Sequence, residues 1–386
     1  VQHLLLYAGL DFILDEDGHW HFIEINDHPV ALNRADHLAN QCRYPLFPGQ
    51  GLSILAQELI RLAAGKPIAL LLPDCFRITA QAELFDFVDP LQNEGPAKLT
   101  VAEFHEIAEQ IRDAGHPCAI IDTTQISHQD GRYFLLNGKE LGLLYRRSYS
   151  FPKTQPLIPS VNDLRLRAVC TDKRLIASLL QEKAPDIGCI PTYSHRDENA
   201  LHCFLEEMAV TNSYVIRKPR DGAGSRGVER FLARDLLRDV STETDNQAIY
   251  QPWIPPCTHR KGRYEYHVDF RLYMVAGEAV GGFARQAAAP NSHLTAESPL
   301  CWMTTNGPAL PLSQKELADK EEGSFSLSAV QLETLSKRAA TIVEIIEGYA
   351  AKLDYRRTCQ KIPGFESQVA IEGQMKPINL RPVAQA

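Results

Sequence analysis

No run of apolar residues in this chain approaches the roughly 18 to 20 needed to cross a bilayer. The longest clean stretch, Ile68-Ala69-Leu70-Leu71-Leu72, has the length of a buried strand. Basic charge is not in excess: 40 Lys and Arg stand against 48 Asp and Glu, a net charge of -8, which argues against nucleic-acid binding by bulk charge. The nine cysteines occur singly, without a CxxC, so neither a disulfide framework nor a zinc site is suggested and a reducing, cytoplasmic setting is expected. The 13 histidines form no HExxH, and no Ser/His/Asp or Cys/His set stands out. His19 and His21 alternate on a strand and are expected to be exposed, and His28 reads as a turn residue. The chain starts at Val1 almost directly in patterned structure, so an upstream piece is expected. What is present is ordinary globular material, 44% hydrophobic and 23% charged over 386 residues, enough for two or three structural units.

Patterning divides the chain. Residues 10–25 read as a hairpin, with alternating Leu10, Phe12 and Leu14 before an Asp15-Glu16-Asp17-Gly18 turn. Leu52, Leu55, Leu59 and Leu62 have helical spacing and stop at Gly65. From Lys66 to about Tyr149 the pattern alternates between strand and helix, the mark of a partly parallel sheet. One helix there is expected to open at Thr100, with Glu103 in capping-box position. Further strands are expected at 214–218, 248–253, 268–275 and 279–285. Residues 287–324 read as a loop or cover, 329–352 as a long helix, and 368–372 and 376–380 as closing strands.

Four constellations carry chemistry. Glu24 and Asn26 share one face of a strand, and Asp11 can lie opposite on its hairpin partner. Together they are hard oxygen donors suited to Mg²⁺, although a solvated strand face is the plain alternative. The run Tyr214-Val-Ile-Arg-Lys218-Pro-Arg-Asp-Gly222-Ala-Gly224-Ser225-Arg226-Gly227 ends an apolar strand in a cation and a glycine-rich turn, where backbone amides can converge on an anion. A tight hairpin is the alternative; neither a Walker A loop nor a dinucleotide fingerprint fits. Asp269, Arg271 and Tyr273 share a strand face, and Arg285 follows on the next strand within reach of Arg271. Such arginines suit phosphate or carboxylate, while an Asp269–Arg271 surface pair is the alternative. Lys173 opens a helix against the dipole preference, which is more easily understood if it serves an anion; a snorkelling lysine on a helix face is the alternative. A further segment, Tyr250-Gln251-Pro252-Trp253-Ile254, offers an interrupted strand edge that can hydrogen-bond a purine, although taken alone it reads first as an ordinary edge strand.

Taken together, these motifs resemble the ATP-grasp superfamily of carboxylate–amine (or thiol) ligases over most of the chain. The resemblance implies an α/β (α+β) ATP-grasp fold with a Rossmann-like α/β domain. It implies ATP and one or two Mg²⁺ ions as cofactors, the metal held by Asp11, Glu24 and Asn26, with the family's spacing of thirteen from Asp11 to Glu24. Lys173, Lys218, Gly222, Gly224, Ser225, Arg226, Gly227, Gln251, Trp253 and Ile254 would hold the nucleotide, and Arg271, Arg285 and Lys218 would act on the transferring phosphate. The partners implied are a small-molecule carboxylate and an amine, with neither nucleic acid nor membrane; a homodimer is compatible. In conventional members the metal strands come last. Here they come first, similar to circularly permuted members such as glutathionylspermidine synthase and eukaryotic glutathione synthetase. The expected units are a metal-binding hairpin and helix (1–65), the α/β domain (66–160), a nucleotide and lid region (161–265) and the C-terminal core (266–386). A C-terminal echo leaves open a second, degenerate metal hairpin with Glu366, Asn379 and Arg381. An ATP-dependent kinase and a catalytically weak ATP-binding regulatory subunit also remain as alternatives.

Overall fold

The structure is a computed structural model. It describes residues 3–72, 76–78, 85–87, 96–146, 157–221, 227–239, 247–291, 302–304, 307–315, 317 and 323–359. The expected closing strands and the Glu366/Asn379/Arg381 echo lie outside these residues.

Alternating apolar residues and an acidic turn make the first hairpin, β1 (Tyr7–Leu14) and β2 (Trp20–Asn26). In its turn Gly18 adopts φ +85°, and Asp15 accepts the His19 amide at 2.7 Å. Helices α1 (Leu32–Gln41) and α2 (Gly51–Ala63) follow. The next stretch holds β3 (Ile68–Leu71), the short pair β4 (Phe76–Ile78) and β5 (Phe85–Phe87), α3 (Pro96–Asp113) and β6 (Cys118–Ile121). It closes with a second hairpin, β7 (Ile126–Gln129) and β8 (Arg132–Leu135), then β9 (Leu143–Arg146) and β10 (Ser160–Val161). Helices α4 (Leu164–Cys170), α5 (Lys173–Lys183) and α6 (Glu198–Val210) lead into β11 (Tyr214–Pro219), β12 (Glu229–Leu232), α7 (Ala233–Asp239) and β13 (Ala248–Pro252). The last described part comprises β14 (Thr258–Lys261), β15 (Tyr264–Val275), β16 (Glu278–Gln286), β17 (Ala309–Gln314), β18 (Phe325–Leu327), α8 (Ala329–Ala350) and α9 (Tyr355–Cys359).

The central sheet runs β18-β17-β16-β15-β1-β2, with β14 also paired to β15. The N-terminal hairpin is thus joined, through β1 and β15, to strands that follow some 260 positions later, as the Asp11–Arg271 pairing shows. A second sheet, β10-β9-β3-β6, is parallel throughout. A third, β12-β11-β13, is antiparallel. Each face of the central sheet has its own core. Leu10, Phe12, Phe270 and Leu272 pack with Leu335, Ala339, Ile342 and Ile346 of α8 and with Leu166 and Ile176 of α4 and α5. Tyr7, Tyr273, Val275 and Phe283 on the other face pack with α1, α2, α3 and β3. Burial of each large apolar side chain contributes about 1.5–3 kcal/mol, so both faces are firmly clamped.

Two expectations are corrected here. Helix α3 starts at Pro96, not Thr100, and proline suits a first turn whose amides have no partner anyway. Glu103 therefore lies inside α3. Its buried carboxylate accepts the Leu32 amide at 2.8 Å, capping α1, whose own N-cap residue Ala31 has no capping side chain. Asp36 does the same for α2, accepting the Gly51 and Leu52 amides at 2.8 Å each. The stretch 287–324 is not all loop: β17 pairs with β16 and buries Leu310 and Leu312. Its two-residue alternation was hidden among surrounding Pro, Ser, Thr and Asn.

Candidate active site

Glu24, Asp11 and Arg271 stand in one cross-strand row over β2, β1 and β15. Opposed residues of antiparallel strands project to the same face. Arg271 grips Asp11 with two parallel bonds, Nε to Oδ1 at 2.7 Å and Nη2 to Oδ2 at 2.6 Å. Arg285 adds a contact to Asp11 Oδ2 at 3.1 Å and itself makes a fork on Asp269, 2.7 Å for each bond. Thr304 donates its hydroxyl to Asp269 at 2.5 Å. Asp11 is only 2% exposed. Burial pushes its carboxyl up, but Arg271 and Arg285 outweigh burial and hold it below the usual carboxylate range.

Facing this row across a cleft are Lys173 at the start of α5 and Gln251 of β13; Lys218 of β11 is buried close by, within electrostatic reach of Glu24 and Lys173. The cleft is narrow and partly open to solvent, and is lined by Phe22, Glu24, Lys173, Cys189 and Gln251, among others. Lys173 Nζ lies 3.8 Å from Glu24 Oε2. Lys218 is 6% exposed on β11, and among the described residues no hydrogen bond or ion pair reaches its ammonium. Burial, aided by the charge of Lys173 and opposed by Glu24, brings its pKa down to about 8. Gln251 donates its amide to Thr192 at 2.7 Å. Burial raises the Cys189 thiol to about 11, so it stays protonated at neutral pH.

The structure thus brings together Asp11, Glu24, Lys173, Lys218, Gln251, Arg271 and Arg285. Asp269 pairs with Arg285, not with Arg271 as the surface-pair alternative supposed. A register shift between Tyr273 and Met274 sets Arg271 opposite Phe283, and the two arginines meet on Asp11 instead of across their own strand pair. Trp253 is not part of the cleft lining. Its ring packs edge-on to Trp302, and the Arg230 guanidinium stacks above it. Ile254 is half-buried just beyond. Gly222, Gly224, Ser225 and Arg226 lie outside the described residues. Gly227 has φ +68°, and an added Cβ would come within 3.0 Å of Pro219 Cγ. His19 is exposed as expected, but His21 is half-buried and contacts Asp15 at 2.7 Å. His28 is held by the buried Asp27 carboxylate at 2.6 Å, which also takes Arg167 at 3.1 Å. Thr192, Thr304 and Arg167 had no signal in the sequence, since each acts through a partner far away in the chain. Asp27 could have been suspected from its place directly after Asn26.

The donor set fits a hard divalent cation. Asp11, Glu24 and Asn26 all offer oxygen. Glu24 is a quarter exposed at its side chain, and among the described residues its side chain makes only the long contact to Lys173. The Asn26 amide Nδ2 is buried without a hydrogen-bond partner among the described residues; being a donor it cannot ligate a cation, so only the Asn26 oxygen enters the set. Asp11 Oδ1 accepts a single hydrogen bond.

No protein-family model matches the chain, and no curated protein matches it. Solved structures do. A provisionally named gamma-glutamylcysteine synthetase from Methylobacillus flagellatus KT superposes with a TM-score of 0.54 at 12% identity, with 90% of each chain covered. D-cycloserine synthetase DcsG gives 0.39 at 13% identity, over 74% of this chain and 82% of that one. D-alanyl-alanine synthetase A from Vibrio cholerae gives 0.37 at 11%, over 72% and 81%. At such identities the likeness speaks for the fold alone. The chain has an α+β fold of the ATP-grasp type.

Proposed function

We propose that this chain is a circularly permuted ATP-grasp ligase that joins a small-molecule carboxylate to an amine, with ATP as the energy source and an acyl phosphate as intermediate. The observation that carries the reading is the shared cleft: Glu24 lines it with Lys173 and Gln251, while Glu24's cross-strand neighbour Asp11 holds Arg271 and Arg285. Carboxylates next to four cations, one of them on a strand that leads into a glycine-rich sequence, suit a triphosphate that arrives with a divalent ion.

In this reading the substrate carboxylate oxygen attacks the γ-phosphorus and ADP leaves. The amine nitrogen then attacks the acyl carbon, loses a proton, and inorganic phosphate leaves. Lys218 and Lys173 bind phosphate oxygens, Gln251 borders the nucleotide, and Arg271 and Arg285 neutralise charge where the phosphoryl group moves. Bound Mg²⁺, held by Glu24, Asn26 and Asp11, would supply further charge neutralisation. No protein nucleophile is required. The units proposed from the sequence, 1–65, 66–160, 161–265 and 266–386, go with this reading, as does a cytoplasmic enzyme.

The test is ADP release by the full chain with Mg²⁺, with and without a panel of carboxylates and amines. Turnover that needs an amine supports the ligase. ADP release with a stable phosphorylated product and no amine requirement would make it a kinase instead. Glu24→Gln is expected to abolish Mg²⁺-dependent turnover and to leave the circular dichroism spectrum unchanged. Full activity in that variant removes the hairpin from the site.

A further inference from the structure

Lys173 and Lys218 sit on different elements, α5 and β11; Lys173 lines the cleft beside Glu24, and the buried Lys218 is close enough to feel the charges of both. Something must fix their separation, since two like charges in a buried place repel. One pair of side chains ties their elements together. Asp172, the residue before Lys173, is the N-cap of α5 and accepts the Leu175 amide at 3.0 Å. The same carboxylate takes Arg220, two positions after Lys218, through Arg220 Nε at 3.0 Å and through a second, short bond from Nη2. The backbone repeats the tie: the Lys173 amide donates to the Arg220 carbonyl at 3.3 Å. Arg220 is also the last residue but one before the glycine-rich segment.

We propose that Asp172 and Arg220 are positioning residues for the two lysines, a two-point clasp between the start of α5 and the end of β11 that sets the spacing of the phosphate-binding cations. The inference rests on the nucleotide reading above. Its logic is geometric. A forked guanidinium–carboxylate pair fixes both distance and orientation, whereas a lone point-charge contact fixes neither. Asp172 shares the α5 start with Lys173, and Arg220 stands directly after β11, two residues past Lys218, so strain or slack in the clasp is passed directly to the lysine pair. Burial works against the Asp172 charge, but the Arg220 and backbone hydrogen bonds prevail, so the clasp is ionised at neutral pH. Neither residue needs to touch the ligand.

The experiment compares binding of AMP-PNP with Mg²⁺ and of adenosine to the full chain by titration calorimetry, alongside melting temperatures. Asp172→Asn keeps a capping oxygen for α5 and removes the charge. Arg220→Gln removes the fork, and Arg220→Lys keeps the charge but not the fork. The double variant Asp172→Asn/Arg220→Gln completes a cycle. Each single variant is expected to weaken AMP-PNP binding about tenfold and to leave adenosine binding unchanged, because the displaced groups face phosphates. The double variant should be no worse than the singles. Arg220→Lys carries the test if the charge-removing variants do not fold. Unchanged AMP-PNP affinity in variants of a chain that binds it overturns the clasp alone. Equal loss for both ligands overturns it too, since that is a general structural effect. A wild-type chain that binds no AMP-PNP overturns the nucleotide reading, and the clasp with it.

Discussion

Lys218 makes the sharpest prediction. Its ammonium is buried at 6% exposure with no partner within hydrogen-bond reach among the described residues, and its pKa falls from 10.5 to about 8. Burial is the main cause. The folded state therefore holds the Lys218 proton less tightly than the unfolded state does. Between pH 8 and 10.5 the unfolded chain binds more protons at this site, so stability rises with pH across that window. Below about pH 8 the penalty is complete; above 10.5 it is gone. At about 1.4 kcal/mol per pH unit, the gap amounts to about 3 kcal/mol. Lys218→Met keeps the length of the side chain and removes the charge, so it should stabilise the chain by up to about 3 kcal/mol at pH 7. Urea unfolding of both proteins at pH 7, 8, 9 and 10 measures this, and the difference between them isolates Lys218 from every other titrating group. The advantage of the variant should shrink steadily from pH 8 upwards. A difference that stays flat with pH would refute the account, because it would mean that the ammonium is not held in a desolvated place. The same variant should lose ATP affinity: stabilised without ligand and weakened with it is the signature of a charge kept for function.

Two further perturbations test the ion network and the helix caps. Arg271→Ala leaves the buried Asp11 with Arg285 alone and should destabilise the chain by about 3 kcal/mol at pH 7. Because the arginines hold the Asp11 carboxyl below its ordinary range, their contribution is present at neutral pH and lost as pH falls through that lowered value. Urea midpoints of the two proteins should therefore converge at strongly acid pH, and a constant gap counts against the pairing. Glu103→Ala removes the acceptor of the Leu32 amide and should cost about 1–3 kcal/mol, read as a lower melting temperature; an unchanged melting temperature would return Glu103 to the role of an ordinary helix residue.

The local parts of the fold could be read directly from the residues. Asp15-Glu16-Asp17-Gly18 between alternating strands specifies a hairpin, and the Leu52-to-Leu62 spacing followed by Gly65 specifies α2. Both follow from short-range rules with few solutions. Candidate site residues were legible where chemistry forced unusual neighbours, as with Glu24 among Phe22, Ile23 and Ile25, or Lys218 at the end of an apolar strand. Partnerships were not legible. Nothing near Asp11 says that its carboxylate belongs to Arg271, 260 positions away, because pairing of distant strands depends on which register buries most apolar surface. Even the correct strand pair did not name the partners: the observed register sets Arg285 opposite Asp269 and Arg271 opposite Phe283, two positions from Arg285. Glu103 shows the same limit for helices. Its spacing from Thr100 satisfied a capping rule, but its carboxylate caps a different helix, a fact that exists only after packing.

The ion network also decides which substitution can tell the readings apart. Asp11 Oδ2 is already occupied by two guanidiniums, from Arg271 and Arg285, and Oδ1 by a third contact. Asp11→Asn would loosen both arginines whatever the site binds, so its loss of activity would be uninformative about metal. Glu24 differs. Its only described contact is the long one to Lys173, and removing its charge disturbs no fork. Lys173, Lys218, Arg271 and Arg285 face three carboxylates, Asp11, Glu24 and Asp269, which leaves the cluster nearly neutral and explains how it can be buried at all. Three of these cations, Lys173, Arg271 and Arg285, already engage the protein's own carboxylates, and Lys218 has no carboxylate in ion-pair reach among the described residues. In the proposed reading a polyphosphate therefore needs positive charge beyond what these residues offer, and Glu24 is the carboxylate with free capacity to hold it. Loss of Mg²⁺ dependence, rather than loss of activity alone, is therefore the property on which Glu24→Gln should be judged.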